Sequence, residues 1–288
     1  MQIDNDGIRL HVAEDGGPTN PPLLLLHGIT SFGGTWDWLV PELAERHRVL
    51  RLDFRGHGAS ARAPGAYGSS GYLSDVIAVC EQVIDRPCVV IGHSLGGITA
   101  LIAMQRRPEL FRAAVLEDPP MVAGPRGRES VSEGHALLDG FRVMRRSLPG
   151  LQATGMTPEA VAGFLGDVPT SSGAPMAATL EADALLAMAG SLLTVDPAVL
   201  DPVLEGDMES LLDLERGIDP PTLIVTADPA KPDAICDPDA AREMAARSRA
   251  TEVVTIAGAG HLIHDETASR SRFRAVTLEF LDRVGAPA

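Results

Sequence analysis

Residues 89–97 read "VVIGHSLGG": an apolar run that ends in Gly92-His93-Ser94-Leu95-Gly96 and passes into a helix-compatible segment, Ile98–Arg107. This is G-x-S-x-G with a strand before it and a helix after it, the context in which a serine sits on a sharp strand-to-helix turn. The flanking glycines are needed because side chains at those two positions would collide with neighbouring backbone. Turned this way, Ser94 exposes its Oγ and the Leu95 N–H points at a bound carbonyl oxygen. The bland alternative is a glycine-rich turn without chemistry. A lone serine is a weak nucleophile and needs a base. "AGAGHLIH" at 257–264 offers His261 on a loop at the same end of the sheet. His11, His47, His135 and His264 read as surface or packing histidines, and His57 and His93 as packing and turn residues. A second oxyanion donor has to come from another strand end. "LLLLHGIT" at 23–30 supplies the backbone N–H of Ile29, with Gly28 allowing close approach; a plain strand-to-loop turn is the competing reading. In "FGGTWDW" at 32–38, Trp36 is a candidate substrate contact, with core packing an equal alternative for it and for Trp38.

Outward from this turn, similar apolar runs recur at 21–28, 47–58, 112–120, 221–229 and 251–261, and most are nearly continuous. Helix-like segments lie between several of them, for example Asp239–Arg249, so the alternation is that of a parallel sheet buried on both faces. Met1–Ala13 alternates more loosely and predicts an antiparallel edge hairpin. From about Met121 to Asp219 the strand-like runs stop. Helical stretches at Ser132–Arg146, Pro158–Gly166 and Ala177–Met188 alternate there with Pro/Gly breaks, which reads as a helical insertion. In "DPAVLDPVLEG", Asp196 is a candidate N-cap and Pro202 should kink or end the helix.

The chain has 288 residues, enough to bury a large core without staples. Twenty-four basic against 39 acidic residues leave a net charge of −15, unfavourable for nucleic acid or an anionic membrane surface. Cys80, Cys88 and Cys236 are odd in number and form no C-x-x-C pair, which predicts a reducing, cytoplasmic setting and no disulfide framework. No secretory leader and no run of about 20 apolar residues is visible, so a soluble protein is expected. No metal cluster, P-loop or dinucleotide glycine motif is visible, and no cofactor is expected.

"HG" at 27–28, "DFRGHGAS" at 53–60, "GHSLGG" at 92–97 and "GAGHLIHDE" at 258–266, in this order and separation, resemble the α/β-hydrolase superfamily over about residues 20–285. The resemblance implies an α/β fold with a mostly parallel eight-stranded sheet, helices on both faces and a helical cap inserted after the sixth strand. It divides the chain into a core at 1–120, a cap at 121–219 and a second core part at 220–288. It also implies a Ser–acid–His triad in that chain order. The acid departs from the common pattern, because the loop after "TLIVTA" reads "DPAKPDAICDPD". Asp233 lies 28 residues before His261, near the familiar separation, and Asp228 stands directly at the strand's end. Asp118 in "LEDPP", 24 residues after Ser94, is the preferred acid and Asp228 the next. Zearalenone-hydrolysing lactonases and some dehalogenases look similar at that strand. Glu117 should be turned away from Asp118 by strand alternation.

With serine as nucleophile the expected reaction is hydrolysis of a hydrophobic carboxylic ester or lactone through an acyl-enzyme. Carbon–carbon bond hydrolysis, or a receptor-like relative that binds a ligand with little turnover, are the alternatives. Dehalogenases and epoxide hydrolases of the superfamily use aspartate where Ser94 stands, which disfavours those reactions. Met121, Phe141, Met144, Met156, Phe164, Met176 and Met188 suggest a pliable apolar ceiling in the cap, or simple helix packing.

Overall fold

The four leucines at 23–26 are fully buried and split by alternation: Leu24 and Leu26 join one hydrophobic cluster, Leu23 and Leu25 the other. A strand whose successive side chains enter two separate cores has no polar face, which is why this run is continuous rather than alternating. A computed structural model of the chain describes residues 1–121, 135–170, 173–208 and 210–285. In it this run is strand β3 (Pro22–Leu26), inside an eight-stranded sheet of order β1-β2-β4-β3-β5-β6-β7-β8. The others are β1 (Gln2–Asn5), β2 (Ile8–Asp15), β4 (Arg48–Asp53), β5 (Cys88–His93), β6 (Phe111–Glu117), β7 (Thr222–Thr226) and β8 (Thr251–Thr255). Strands from β4 onward in that order pair in parallel. The expected edge hairpin is β1–β2, antiparallel, turned at Asp6 and Gly7, both at positive φ.

One face is covered by α2 (Ser69–Gln82), α3 (Leu95–Arg106) and α8 (Pro238–Arg247), which contribute Val76, Ile98 and Met244 to the first core. The other face is covered by α1 (Val40–Ala44) and α9 (Arg270–Gly285), which contribute Leu43, Phe273 and Phe280.

Between β6 and β7 the described residues form α4 (Ala136–Gln152), α5 (Pro158–Gly166), α6 (Ala182–Thr194) and α7 (Leu200–Glu205). The start of the helix expected at Ser132–Arg146 lies outside the described residues as far as Gly134. Asp196 accepts from the Ala198 N–H and caps a 3₁₀ turn, Pro197–Val199. Pro202 falls in the first turn of α7, where a missing N–H costs little, so the helix does not end there as expected but runs on to Glu205 and ends on Gly206 in the left-handed region. Several bonds tie these helices to the core, two of them beside the loops of the site. Ser191 Oγ on α6 donates to the Thr30 carbonyl (2.7 Å), and the backbone at 179–181 pairs with 265–267. Of the apolar residues expected to form a ceiling, Met121 and Phe141 are buried in the core, whereas Met156 and Phe164 face solvent. Among the described residues no single helix is long and apolar enough to cross a membrane.

Candidate active site

Ser94 stands between β5 and α3 at φ 49°, ψ −110°, a backbone conformation that an L side chain rarely adopts. The turn closes because its flanks have no Cβ: one at Gly92 would lie 2.5 Å from the Gly96 carbonyl oxygen, and one at Gly96 2.4 Å from the Leu26 oxygen. The Ser94 N–H donates to the Glu117 carbonyl (2.8 Å), which sets the height of Ser94 against the neighbouring strand.

His261 is brought to the same point from the loop after β8. Its Nε2 is 3.0 Å from Ser94 Oγ and its Nδ1 is 2.7 Å from Asp118 Oδ2. An ionised carboxylate only accepts, so Nδ1–H donates to Asp118 and Nε2 is left to accept the serine proton. Asp118 follows directly on β6 at φ 39° and is fully buried. Its carboxylate also accepts from the N–H groups of Ala227 (3.0 Å), Ile235 (3.1 Å) and Cys236 (3.3 Å). Three amide dipoles and one imidazole N–H replace the water that burial removes.

The competing acids are elsewhere. Asp228 is at the surface, where its carboxylate accepts from the Ala230 and Gly258 N–H groups and its pKa is lowered by those bonds. It turns its own loop through Ala230, as aspartate before proline commonly does, and ties that loop to the one after β8 through Gly258 without reaching the His261 ring, so the catalytic role expected for it is corrected. Asp233 Oδ2 lies 3.4 Å from the His261 backbone nitrogen, not against the ring. The pocket role expected of Trp36 is also corrected. The 3₁₀ turn Gly33–Trp36 swings its indole into the core under α1 and α9, where it is fully buried and stacks on His264 at 4.4 Å. Trp38 carries the Arg270 guanidinium over its ring at 4.8 Å.

Both expected oxyanion donors have free N–H groups. Leu95 opens α3, where the first N–H groups have no partner within the helix, and neither it nor Ile29 donates a hydrogen bond within the described residues. A Cβ on Gly28 would lie 2.7 Å from His93 Nδ1 and 3.5 Å from Ser94 Cβ, so the 27–29 turn is pressed against His93 and Ser94. His27 shapes that turn by donating from Nδ1 to the Gly28 oxygen (2.7 Å) and accepting the Phe54 N–H at Nε2 (3.1 Å). Burial pulls its pKa down to about 4, so the ring is neutral.

One group escaped sequence reading. Glu117, fully buried, accepts from both the backbone N–H and the Nδ1–H of His264, making a second acid–histidine pair beside Asp118–His261. Its sequence signal is two adjacent acids, 117–118, matched by two histidines three apart, 261 and 264. His93, Glu117 and His264 have ligand atoms within 4.8 Å of one another, the one such buried grouping among the described residues. Their hydrogen bonds are already used within the chain: His93 Nε2–H donates to the His261 oxygen (3.0 Å), and His264 Nε2 meets Thr35 Oγ1 (3.0 Å). The trio therefore fits an ion pair better than a metal centre.

A model of the alpha/beta hydrolase family matches residues 23–272. The 2-(acetamidomethylene)succinate hydrolase of Mesorhizobium japonicum is 31% identical over 117 residues, 41% of this chain and 41% of that protein. Epoxide hydrolase 4 of Mus musculus is 33% identical over 124 residues, 42% of this chain and 34% of that one. The sequence matches thus span about two fifths or less of these relatives' length. A crystal structure of E-2-(acetamidomethylene)succinate hydrolase superposes with a TM-score of 0.72 at 21% identity, covering 98% of both chains.

Proposed function

Because the chain belongs to the alpha/beta hydrolase family, we propose that it is a serine hydrolase of uncharged, hydrophobic carboxylic esters or lactones, working through an acyl-enzyme. The observation that carries this is the continuous contact from Asp118 Oδ2 through His261 to Ser94 Oγ, 2.7 Å and 3.0 Å. Ser94 Oγ attacks the substrate carbonyl as His261 Nε2 takes its proton, and Asp118 holds the tautomer and faces the imidazolium that forms. The N–H groups of Ile29 and Leu95 receive the oxyanion. His261 then protonates the leaving alkoxide, which departs from an ester or stays tethered in an opened lactone. A water activated by the same ring releases the acid.

The nucleophile's identity speaks against epoxide opening. A carboxylate attacking an epoxide leaves an ester that water can cleave at its carbonyl, whereas Ser94 would leave an ether with no carbonyl to attack, and turnover would stop. An uncharged substrate suits the net charge of −15, which disfavours anions. Three buried thiols fit a cytoplasmic setting.

The test is turnover of a p-nitrophenyl acyl ester by the wild type and Ser94→Ala, with mass spectrometry of the trapped acyl-enzyme. Ser94→Ala should lower kcat by at least about a thousandfold with the fold intact. Near-wild-type turnover would remove Ser94 from the mechanism, and binding without turnover in either protein would favour a receptor.

A further inference from the structure

We infer that Glu117 and His264 are a positioning pair that holds the His261 loop in register with Ser94, an inference that rests on the serine-hydrolase reading above. Glu117 reaches both halves of the site. Its carbonyl accepts the Ser94 N–H at 2.8 Å, and its carboxylate accepts the His264 N–H at 2.9 Å and the His264 Nδ1–H at 2.8 and 2.9 Å. One residue thus grips the backbone of the nucleophile and, three residues beyond the base, the backbone and ring of the base's own loop. Alternation at the end of β6 sends Asp118 to His261 and Glu117 to His264, so the two strand-end acids engage two histidines of one loop.

The rest of His264's surroundings remove its remaining freedom. Trp36 stacks on one face of the ring at 4.4 Å, Thr35 Oγ1 sits 3.0 Å from Nε2, and the Arg270 Nε–H donates to its carbonyl at 2.7 Å. His93, whose Nε2–H holds the His261 carbonyl, packs between the two rings at 4.8 and 5.0 Å. The charged and titratable groups facing His264 are Glu117 from β6, Asp265 from its own loop, His93 from β5 and Arg270, itself paired with Asp183 of α6. Burial alone would lower the His264 pKa, but Asp265 and Glu117 outweigh it and raise the value.

Stability alone does not account for a fully buried ion pair at this place. Well-packed apolar side chains of the same volume are commonly as stabilising, whereas only a hydrogen-bonded pair fixes direction as well as distance. Direction is what the site needs, because His261 must meet Asp118 on one side and Ser94 on the other at once.

The experiment compares Glu117→Gln with the wild type, with His264→Gln as a second variant that keeps the backbone N–H bond to Glu117. For each folded variant, kcat and KM are measured with the p-nitrophenyl ester, and the low-field proton resonance of His261 Nδ1–H is recorded by NMR. Loss of register should lower kcat at least about tenfold and up to about a hundredfold, with KM within about twofold. The His261 Nδ1–H resonance should broaden or move upfield. A folded Glu117→Gln or His264→Gln protein with wild-type kcat and an unchanged resonance would overturn the inference. Ser94→Ala is run alongside. If it retains turnover, the serine-hydrolase reading falls, while the resonance still reports whether the pair holds the His261–Asp118 contact.

Discussion

Asp118 and Asp228 both follow a strand end, and what separates them is the partner each carboxylate finds. Asp118 meets His261 and three backbone N–H groups in full burial, while Asp228 meets, at the surface, the N–H of Gly258 in the loop after β8 and that of Ala230 in its own loop. Asp118→Asn should keep the fold and lower kcat by on the order of 10⁴, because an amide facing Nδ1 favours the wrong tautomer. Asp228→Asn, measured at equal folded concentration, should leave kcat within about twofold, since the amide keeps one acceptor oxygen and the one surface bond it loses is worth about 1 kcal/mol. A large loss at Asp228 with an active Asp118→Asn would reverse the assignment. Sequence reasoning could place these residues at strand ends because register and apolar periodicity are local. It ranked Asp118 first, but the contacts that separate the two lie in how the 228–237 loop folds back so that the Ile235 and Cys236 N–H groups reach Asp118 across 117 and 118 residues of chain. Trp36 was undecidable for the same reason. A single 3₁₀ turn determines whether its indole lines a pocket or enters the core.

At the scale of elements, the "DFRGHGAS" stretch is a strut. Arg55, just past β4, forms a buried ion pair with Asp75 of α2 at 2.6 Å, and Asp75 also accepts from Asn5 of β1 at 2.8 Å. Three elements meet on one carboxylate that has no exposed surface. Asp75→Ala leaves Arg55 charged and unpaired and should cost about 3–5 kcal/mol, read from the urea midpoint. A cost below about 1 kcal/mol would mean that water enters and solvates Arg55. The strands and most helices were legible because their signals are periodic: the central strands as unbroken apolar runs, α8 within one or two residues of Asp239–Arg249, α5 at its expected bounds. The helix expected at Ala177–Met188 instead begins at Ala182 and runs to Thr194, because residues 176–178 form a separate 3₁₀ turn and the backbone at 179–181 is taken up by pairing with 265–267. That pairing is tertiary and leaves no local trace. The Glu117–His264 pair was missed for a related reason: each residue has an ordinary local explanation, and only the sheet brings them together.

For the molecule as a whole, the buried histidines define how stability responds to pH. Burial holds His27 at about 4 and His57 at about 3, both below an ordinary histidine near 6.5. Their contribution is complete above the unfolded value and is lost as pH falls toward the folded ones, by up to about 3 kcal/mol for each between pH 6.5 and 4. His264 has the opposite sign: its raised pKa gives a contribution complete below about 6.5 and lost as pH rises through the folded value. Urea unfolding across pH 6.5 to 4 should show a falling midpoint in the wild type and a shallower slope in His57→Phe, whatever that variant's absolute stability. Equal slopes would mean that His57 protonates in the native state. The contact between Ser94 and His261 also joins residues 167 positions apart, and this separation has a meaning in time. A ribosome adding roughly 5–20 residues per second leaves on the order of 10 to 30 s between making Ser94 and making His261. Through that interval Ser94 has no partner for its Oγ, and the proposed triad is complete only once the loop bearing both histidines has been made and docked.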